Sequence, residues 1–516
     1  MNLLGKYFLV LRPARRLFHT CSFVKNANTY STFHHQKPTI YALSTAPGKA
    51  AVAIIRVSGP QSAFILSSLT NGKKLPSPRA SALRKLYTPG TSSQKLLDHA
   101  LVILFQGPKS FTGEDLLELH LHGGVATVKS VLSAIKSLND NEKGRFIRYA
   151  ENGEFTKRAF QNGRLDLTEA EGIRDMIDAE TESQRMVAIN SMEGYNKKFF
   201  TGLRKEIVHN SAMLSALIDF GDDYEVDEVD TLMNNVAKKI ESIQGELLEY
   251  LKKAEKTQIL LDGVKTALLG PTNAGKSSLL NQIANKDAAI VSNIAGTTRD
   301  IINFPLDING YKVIVSDTAG IRSAGQTNDI IEIEGIKRAK KKALESDLIL
   351  IILPADLDIK LIEPAFIEYV KQLQSSSFNK QIKLIINKTD LIDNKEKLRE
   401  KYAERFNLSE DSIKFISCLT REGIDDLVSD LTKSFKLITE SGDADPIGLS
   451  ERSRDIIAND ILFGFEEFFR AKDQGDVVMA SEALNLSIEG IGKITGEAVG
   501  VEEILGVIFS TFCIGK

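Results

Sequence analysis

Apolar residues change their period several times along the chain, and each change marks a different kind of element. The segments "TIYALSTAPGKAAVAIIRVSGP" from Thr39 and "HALVILF" from His99 carry apolar residues in strand-length pieces broken by Gly, Pro and Ser. "ATVKSVLSAIKSL" from Ala126 repeats them at threes and fours and predicts a helix packed on those strands, a small α+β unit. From about Asn162 to Gln258 the pattern is helical, as in "MLSALI" and "LLEYLKKA", with few Gly or Pro. Strands return at "TALLG", "YKVIVSD", "DLILIIL", "IKLIINK" and "IKFIS" between Lys265 and Thr439. They alternate with helical segments, the order expected of a mostly parallel sheet wrapped by helices. From Ser450 the tail is helical again, in "DIIANDILFGFEEFFR" and "EEILGVIFSTF". The expected regions are a leader over 1–37, an α+β domain over 38–155, a helical part over 156–262, an α/β domain over 263–440 and a second helical part over 441–516. Helical stretches on both sides of the α/β block predict a nucleotide-binding domain inserted into a helical one.

Composition changes this picture mainly at the start. At 516 residues and 42% hydrophobic, the chain has room for about three or four domains. A formal net charge of -3 gives no global basic field, so any RNA contact must be local or shared with a partner. Cys21, Cys418 and Cys513 lie far apart with no CxxC spacing, which argues against a disulfide framework or a zinc site and fits a reducing compartment. No run of about 20 apolar residues occurs, so neither a spanning helix nor a membrane anchor is expected. Between Met1 and Leu97, however, there is no Asp or Glu. Lys6, Arg12, Arg15, Arg16, Lys25 and Lys37 make the first stretch basic, and Leu3, Leu4, Tyr7, Phe8 and Leu11 form an apolar stripe that Pro13 ends. This is the composition of a mitochondrial transit peptide, cleaved before Thr39, and it points to the matrix. The rival secretory reading has only the short core "YFLVL", which runs at once into arginines.

The α/β block carries the chemistry. "GPTNAGKS", Gly270 to Ser277, follows a strand and precedes the helix "SSLLNQIA". Its glycines let backbone amides, from Asn273, Ala274 and Gly275 to Ser278, turn toward phosphate oxygens; Lys276 neutralises the β and γ phosphates, and the Ser277 hydroxyl can bind Mg²⁺. A plain Gly-rich turn would not need the strand and helix on either side. "DTAG" (Asp317, Thr318, Ala319, Gly320) ends a strand, where the Asp can hold the Mg²⁺ shell and the Gly320 amide can sense the γ-phosphate. "NKTD" (Asn387, Lys388, Thr389, Asp390) follows another strand, and Asp390 offers two acceptor oxygens to the paired N–H donors of guanine. "SCLT" supplies Ser417, Cys418 and Leu419 to close over that base, and "GTTRD" adds Thr298 as a second hydroxyl for Mg²⁺. Five elements, running along the chain as GPTNAGKS, GTTRD, DTAG, NKTD and SCLT, predict a GTPase that uses GTP and Mg²⁺. After DTAG, Ile321 stands where many small GTPases place a water-orienting Gln, so the water must be positioned from elsewhere. Asn273 could offer an oxygen to a monovalent cation or be an ordinary loop residue.

"PTNAGKSSLLN", "AAIVSNIAGTTRDII", "DTAGIR", "ENGEFTKRAFQNGRLDLTEAE" and the terminal "FCIGK" together resemble the MnmE (TrmE) family of tRNA-modification GTPases, in its mitochondrial form. The resemblance covers essentially the whole chain beyond the leader. It implies an N-terminal tetrahydrofolate-binding domain that forms a homodimer, a helical domain around the G domain, and an FAD-containing partner of the MnmG type. Together they would modify carbon 5 of the wobble uridine in mitochondrial tRNA, with a side chain of the carboxymethylaminomethyl or a related type. It implies potassium held by Asn273 with Ser292, Ile294 and Thr297, in a loop that also contains Asn293, Ala295 and Gly296. Magnesium would sit on Ser277 and Thr298, and Glu332 in "IEIEGIKRA" would organise the catalytic water beside Lys276. Folate contacts would be Arg56, Glu118, Arg164 and Lys516. Ser292 stands for a common Thr and keeps its oxygen; Arg164 stands for a frequent Lys, with a planar fork in place of a point charge. The G motifs are shared with ribosome-assembly and RNA-binding switch GTPases, so folate binding is what separates the two readings.

Three further features invite chemistry. Cys513, four residues from the end of the chain, outlines a prenylation box, but a terminal Lys is not a usual ending for one. Near Lys516 its thiol would serve either catalysis or packing. His120 and His122 share one face of a strand, as metal ligands can, yet no third ligand is evident and packing is the expected role. The acidic run "DFGDDYEVDEVD" could bind divalent cations, but a solvated connection between helices is the expected role.

Overall fold

The computed structural model describes residues 37–90, 94–220, 226–271, 273–286, 303–316, 341–362, 364–375, 380–392, 394–439, 446–497, 508–509, 512–513 and 515. The expectations placed on 1–36, on the acidic residues 221–225, on the loop 287–302 and on 317–340 lie outside these residues, as does Lys516.

Strands β1 (Thr39–Leu43), β2 (Val52–Ser58), β3 (Ser81–Tyr87), β4 (Leu96–Phe105), β5 (Leu116–His122) and β6 (Ile147–Tyr149) form a sheet in the order β3-β4-β5-β2-β1-β6. Only β1 and β6 run parallel. Alternation along the strands sends Tyr41, Ile55, Val57, Leu117 and Leu119 to one face, where α1 (Ser62–Leu69) and α2 (Val125–Lys136) bury them. The other face carries Ile40, Ala42 and Leu116 beside the polar Arg56, Ser58 and Glu118, and Phe155 of α3 (Glu154–Gln161) packs on it. The edge strand β3, "SALRKLY", exposes Leu83 and was not visible in the hydrophobic pattern, because an edge strand buries little on either face.

Helices α4 (Leu167–Asp178), α5 (Glu182–Met192), α6 (Tyr195–Phe220) and α7 (Val226–Asp262) follow. The start of α4 is written in "DLTE": Asp166 accepts from the Glu169 N–H while the Glu169 carboxylate reaches back to the Asp166 N–H, a capping box. Phe200 and Ile207 of α6 and Ile240 and Leu247 of α7 share one core with Ile457, Ile461, Phe465 and Leu484 from the tail, so the intervening sheet is inserted into a single helical unit. The tail returns further still. Phe509 and Phe512 pack with Leu167 and Ala170 of α4, and Ser44 Oγ donates to the Gly515 carbonyl at 2.7 Å beside the end of β1.

The inserted sheet comprises β7 (Val264–Leu269), β8 (Asn303–Ile308), β9 (Tyr311–Ser316), β10 (Leu348–Pro354), β11 (Gln381–Asn387) and β12 (Ile413–Phe415), in the order β12-β11-β10-β7-β9-β8. Every pair is parallel except β8 with β9. Strand β10 is buried at all positions, which is why its run is continuously apolar. Helix α8 (Lys276–Lys286) begins directly beyond the end of β7, and the loops after β7 and β11 meet at one end of the sheet, where ligands bind in such folds.

Candidate functional sites

Those two loops, with the one after β12, line a cavity of about 630 Å³. Asn273, Ala274, Gly275, Lys276, Ser277 and Ser278 form one wall; Asn387, Lys388, Asp390, Cys418 and Leu419 form the other. Two glycines make the first wall possible. At Gly270, with φ +151, a Cβ would stand 2.1 Å from the Ile352 carbonyl oxygen, and at Gly275, with φ +92, it would stand 2.0 Å from Asn387 Nδ2. Asn387 is the strut between the walls: its amide donates to the Ala274 carbonyl at 2.9 Å and accepts from the Cys418 N–H at 3.2 Å. Lys276 donates to the carbonyls of Gly270 at 2.6 Å and Pro271 at 2.9 Å, so its ammonium sits over the loop that would hold phosphates.

On the base side, Ser417 Oγ donates to Asp390 Oδ1 at 2.5 Å, which orients the carboxylate and leaves it acceptor capacity for paired N–H donors. Thr389 and Ser417 are buried behind the wall, and Lys388, in left-handed backbone at φ +65, turns the chain there. Gln282 of α8 donates to the Cys418 carbonyl at 3.0 Å, a tie that sequence reading missed because nothing in the motif marks it. Burial pushes the Cys418 thiol up, against a smaller downward pull from its bond with Asn387. The Cys418 backbone makes both of these ties, its N–H with Asn387 and its carbonyl with Gln282.

The second site lies on the polar face of the first sheet. Arg56 and Glu118 are register partners on β2 and β5, and the Arg56 Nε–H donates to Glu118 Oε1 at 2.9 Å. His120 Nε2 lies 3.3 Å from Glu118 Oε2, so both carboxylate oxygens are held. The Arg56 guanidinium lies over the Phe111 ring, 5.6 Å from its centre, and the exposed Arg164 packs its stem against Gly113 of the same loop. Arg158, 4% exposed, anchors that loop: it donates to Glu114 at 2.9 Å, to Glu154 at 3.0 Å and to the Pro38 carbonyl at 2.8 Å. Burial pushes the Glu154 carboxyl up, but the bonds from Arg148 and the Glu151 N–H, with the charges of Arg158 and Arg148, outweigh it and hold the group below the usual range. Sequence reading passed over Ser58, Glu114 and Arg158; the one available signal was the acid–base pair Glu154 and Arg158 at i,i+4.

The family model for the GTP-binding protein TrmE N-terminus matches residues 39–164, and the model for the MnmE helical domain matches residues 167–513. The chain belongs to the MnmE (TrmE) family of tRNA-modification GTPases. It is 45% identical to the mitochondrial tRNA modification GTPase MSS1 of Saccharomyces cerevisiae, over 100% of this chain and 98% of that protein. It is 39% identical to the mitochondrial 5-taurinomethyluridine-[tRNA] synthase subunit GTPB3 of Danio rerio, over 93% of each chain. With the tRNA modification GTPase MnmE of Rickettsia akari the identity is 39%, over 93% of this chain and all of the relative.

For an MnmE-family GTPase the remaining candidates divide plainly. Of the residues expected to hold cations, Asn273 and Ser277 lie in the cavity wall, Asn273 in left-handed backbone at φ +63, and both are exposed oxygen donors suited to hard cations. Ser292 to Thr298, Asp317 to Gly320 and Glu332 lie outside the described residues. His122 pairs with Asp98 at 2.7 Å and His120 with Glu118, and among the described residues no group of three or more ligating side chains could hold a metal. Cys513 is exposed, and its carbonyl accepts from the Gly153 N–H at 3.5 Å. Among the described residues no helix is long and apolar enough to cross a membrane.

Proposed function

We propose that this protein is a potassium-dependent GTPase that acts, with an FAD-containing partner of the MnmG type, on carbon 5 of the wobble uridine of mitochondrial tRNAs. It works in the mitochondrial matrix as a homodimer through its N-terminal domain, and a reduced folate bound by Arg56, Glu118, Arg164 and Lys516 carries the one-carbon unit. The added group is of the carboxymethylaminomethyl or a related type; the name of the Danio rerio relative, a 5-taurinomethyluridine-[tRNA] synthase subunit, also describes a group on carbon 5 of a tRNA uridine. The observation that carries the reading is the pairing, in one chain, of a guanine-nucleotide cavity with a separate Arg56–Glu118 face on the first sheet. A ribosome-type switch GTPase would need only the former.

In the nucleotide site Ser277 and Thr298 would hold Mg²⁺, and Asn273 with Ser292, Ile294 and Thr297 would hold K⁺. Bound there, the cations would supply positive charge opposite the bond that breaks. Lys276 holds the phosphates and Glu332 orients the water that Ile321 cannot. A preorganised charge of this kind is worth about 2.7–4 kcal/mol, so exchanging K⁺ for Na⁺ slows GTP turnover by roughly 10²-fold or more. Equal turnover in potassium and sodium buffers, measured on dimeric protein, would remove the cation from the account.

A further inference from the structure

Arg56 and Arg164 come from distant parts of the N-terminal unit, yet both touch one short turn. Arg56 lies over Phe111, and Arg164 lies so close to Gly113 that a Cβ added there would stand 3.4 Å from Arg164 Cγ and 2.8 Å from Asn162 Cβ. Gly113 has φ +78, a conformation that glycine adopts without strain. The turn is fastened on its inner side by buried groups. Ser58 Oγ and Thr112 Oγ1 are 2.7 Å apart, and Glu114 Oε2 accepts from Ser58 at 2.8 Å and from Arg158 at 2.9 Å. On its outer side Asn162 Nδ2 donates to the Thr112 carbonyl at 2.6 Å. Arg158 and Asn162 are four residues apart, Asn162 being the C-cap of α3, so one helical turn delivers both fasteners to the same loop.

We propose that Asn162 is a positioning residue of the folate site. Through Thr112 and Gly113 it fixes the separation between Arg56 on the sheet and Arg164 beyond α3. The inference rests on the folate reading above. A long ligand with an aromatic ring system at one end and carboxylates at the other needs its contacts at a set spacing, and Arg164 is an exposed, rotamer-rich side chain that the turn must steady. Asn162 is itself exposed, so its truncation opens no core.

The test is calorimetric titration of the full-length protein with tetrahydrofolate. Asn162→Ala weakens binding about fivefold to tenfold, while the loss of one intramolecular hydrogen bond lowers the melting temperature by at most a few degrees. Asn162→Asp, which keeps the shape but turns the donor into an acceptor, loses at least as much. In an Arg164→Ala background Asn162→Ala costs less than about twofold, because the residue acts through Arg164; a purely structural role would give equal losses in both backgrounds. Equal losses, or no loss in the otherwise unaltered protein, would overturn the proposal while Arg56→Ala still weakens binding by about tenfold or more. If Arg56→Ala binds tetrahydrofolate normally, the folate reading itself fails and takes Asn162 with it.

Discussion

The nucleotide cavity is built largely from backbone, in short contiguous stretches, whereas the N-terminal site is built from side chains gathered from separate strands, a loop and the end of a helix. In the first, Gly270 and Gly275 make room for Ile352 and Asn387, and Asn387 ties the two walls together. In the second, Arg56 and Glu118 meet across two strands, and the loop beneath them is held by Arg158 from α3. The difference teaches where each site is vulnerable. A backbone site fails when a Cβ is added, and a side-chain site fails when a charge is removed.

The sharpest way to break this comparison is Gly275→Ala. The added Cβ collides with Asn387 Nδ2, so guanine-nucleotide affinity falls by at least about a hundredfold, while tetrahydrofolate affinity is unchanged in parallel titrations. Arg56→Ala does the reverse. Loss of a charge-assisted contact weakens tetrahydrofolate by about tenfold to a hundredfold and leaves GTP affinity intact. The smallest effect is on stability. Glu154→Gln costs about 1–2 kcal/mol at neutral pH in urea titration, since Glu114 still faces Arg158. Because the folded Glu154 carboxyl lies below its ordinary value, its contribution is complete above that value and is lost as pH falls through the folded one. The unaltered protein therefore loses stability more steeply below about pH 4.3 than Glu154→Gln, and parallel acid titrations would show the two curves converging.

The same contrast decides what could be read from sequence. "GPTNAGKS" and "NKTD" are legible because a phosphate cradle and a base clamp need particular residues side by side, and the cavity does bring Asn273 to Ser278 together with Asn387 and Asp390. The apolar runs of β7, β9, β10, β11 and β12 were legible for a related reason, their burial in a wrapped sheet. β8 was not: "NFPLDI" holds a proline at a sheet edge, where pairing demands little of the sequence. Arg56, Glu118 and Arg164 were reached only through family resemblance. Nothing local in "RVSG" or "LLELH" announces that two strands will set an arginine against a glutamate. Arg158 escaped notice because a buried arginine looks like any surface charge until its partners are placed around it.

The central claim is that the two sites serve one reaction on tRNA. It is tested most directly by mass analysis of wobble nucleosides from mitochondrial tRNA in cells whose sole copy of the protein is unaltered, Gly275→Ala or Arg56→Ala. The account predicts that the carbon-5 modification is present with the unaltered protein and lost with each variant, although each retains the other ligand. Full modification with an Arg56→Ala protein that has lost tetrahydrofolate binding in vitro would contradict it.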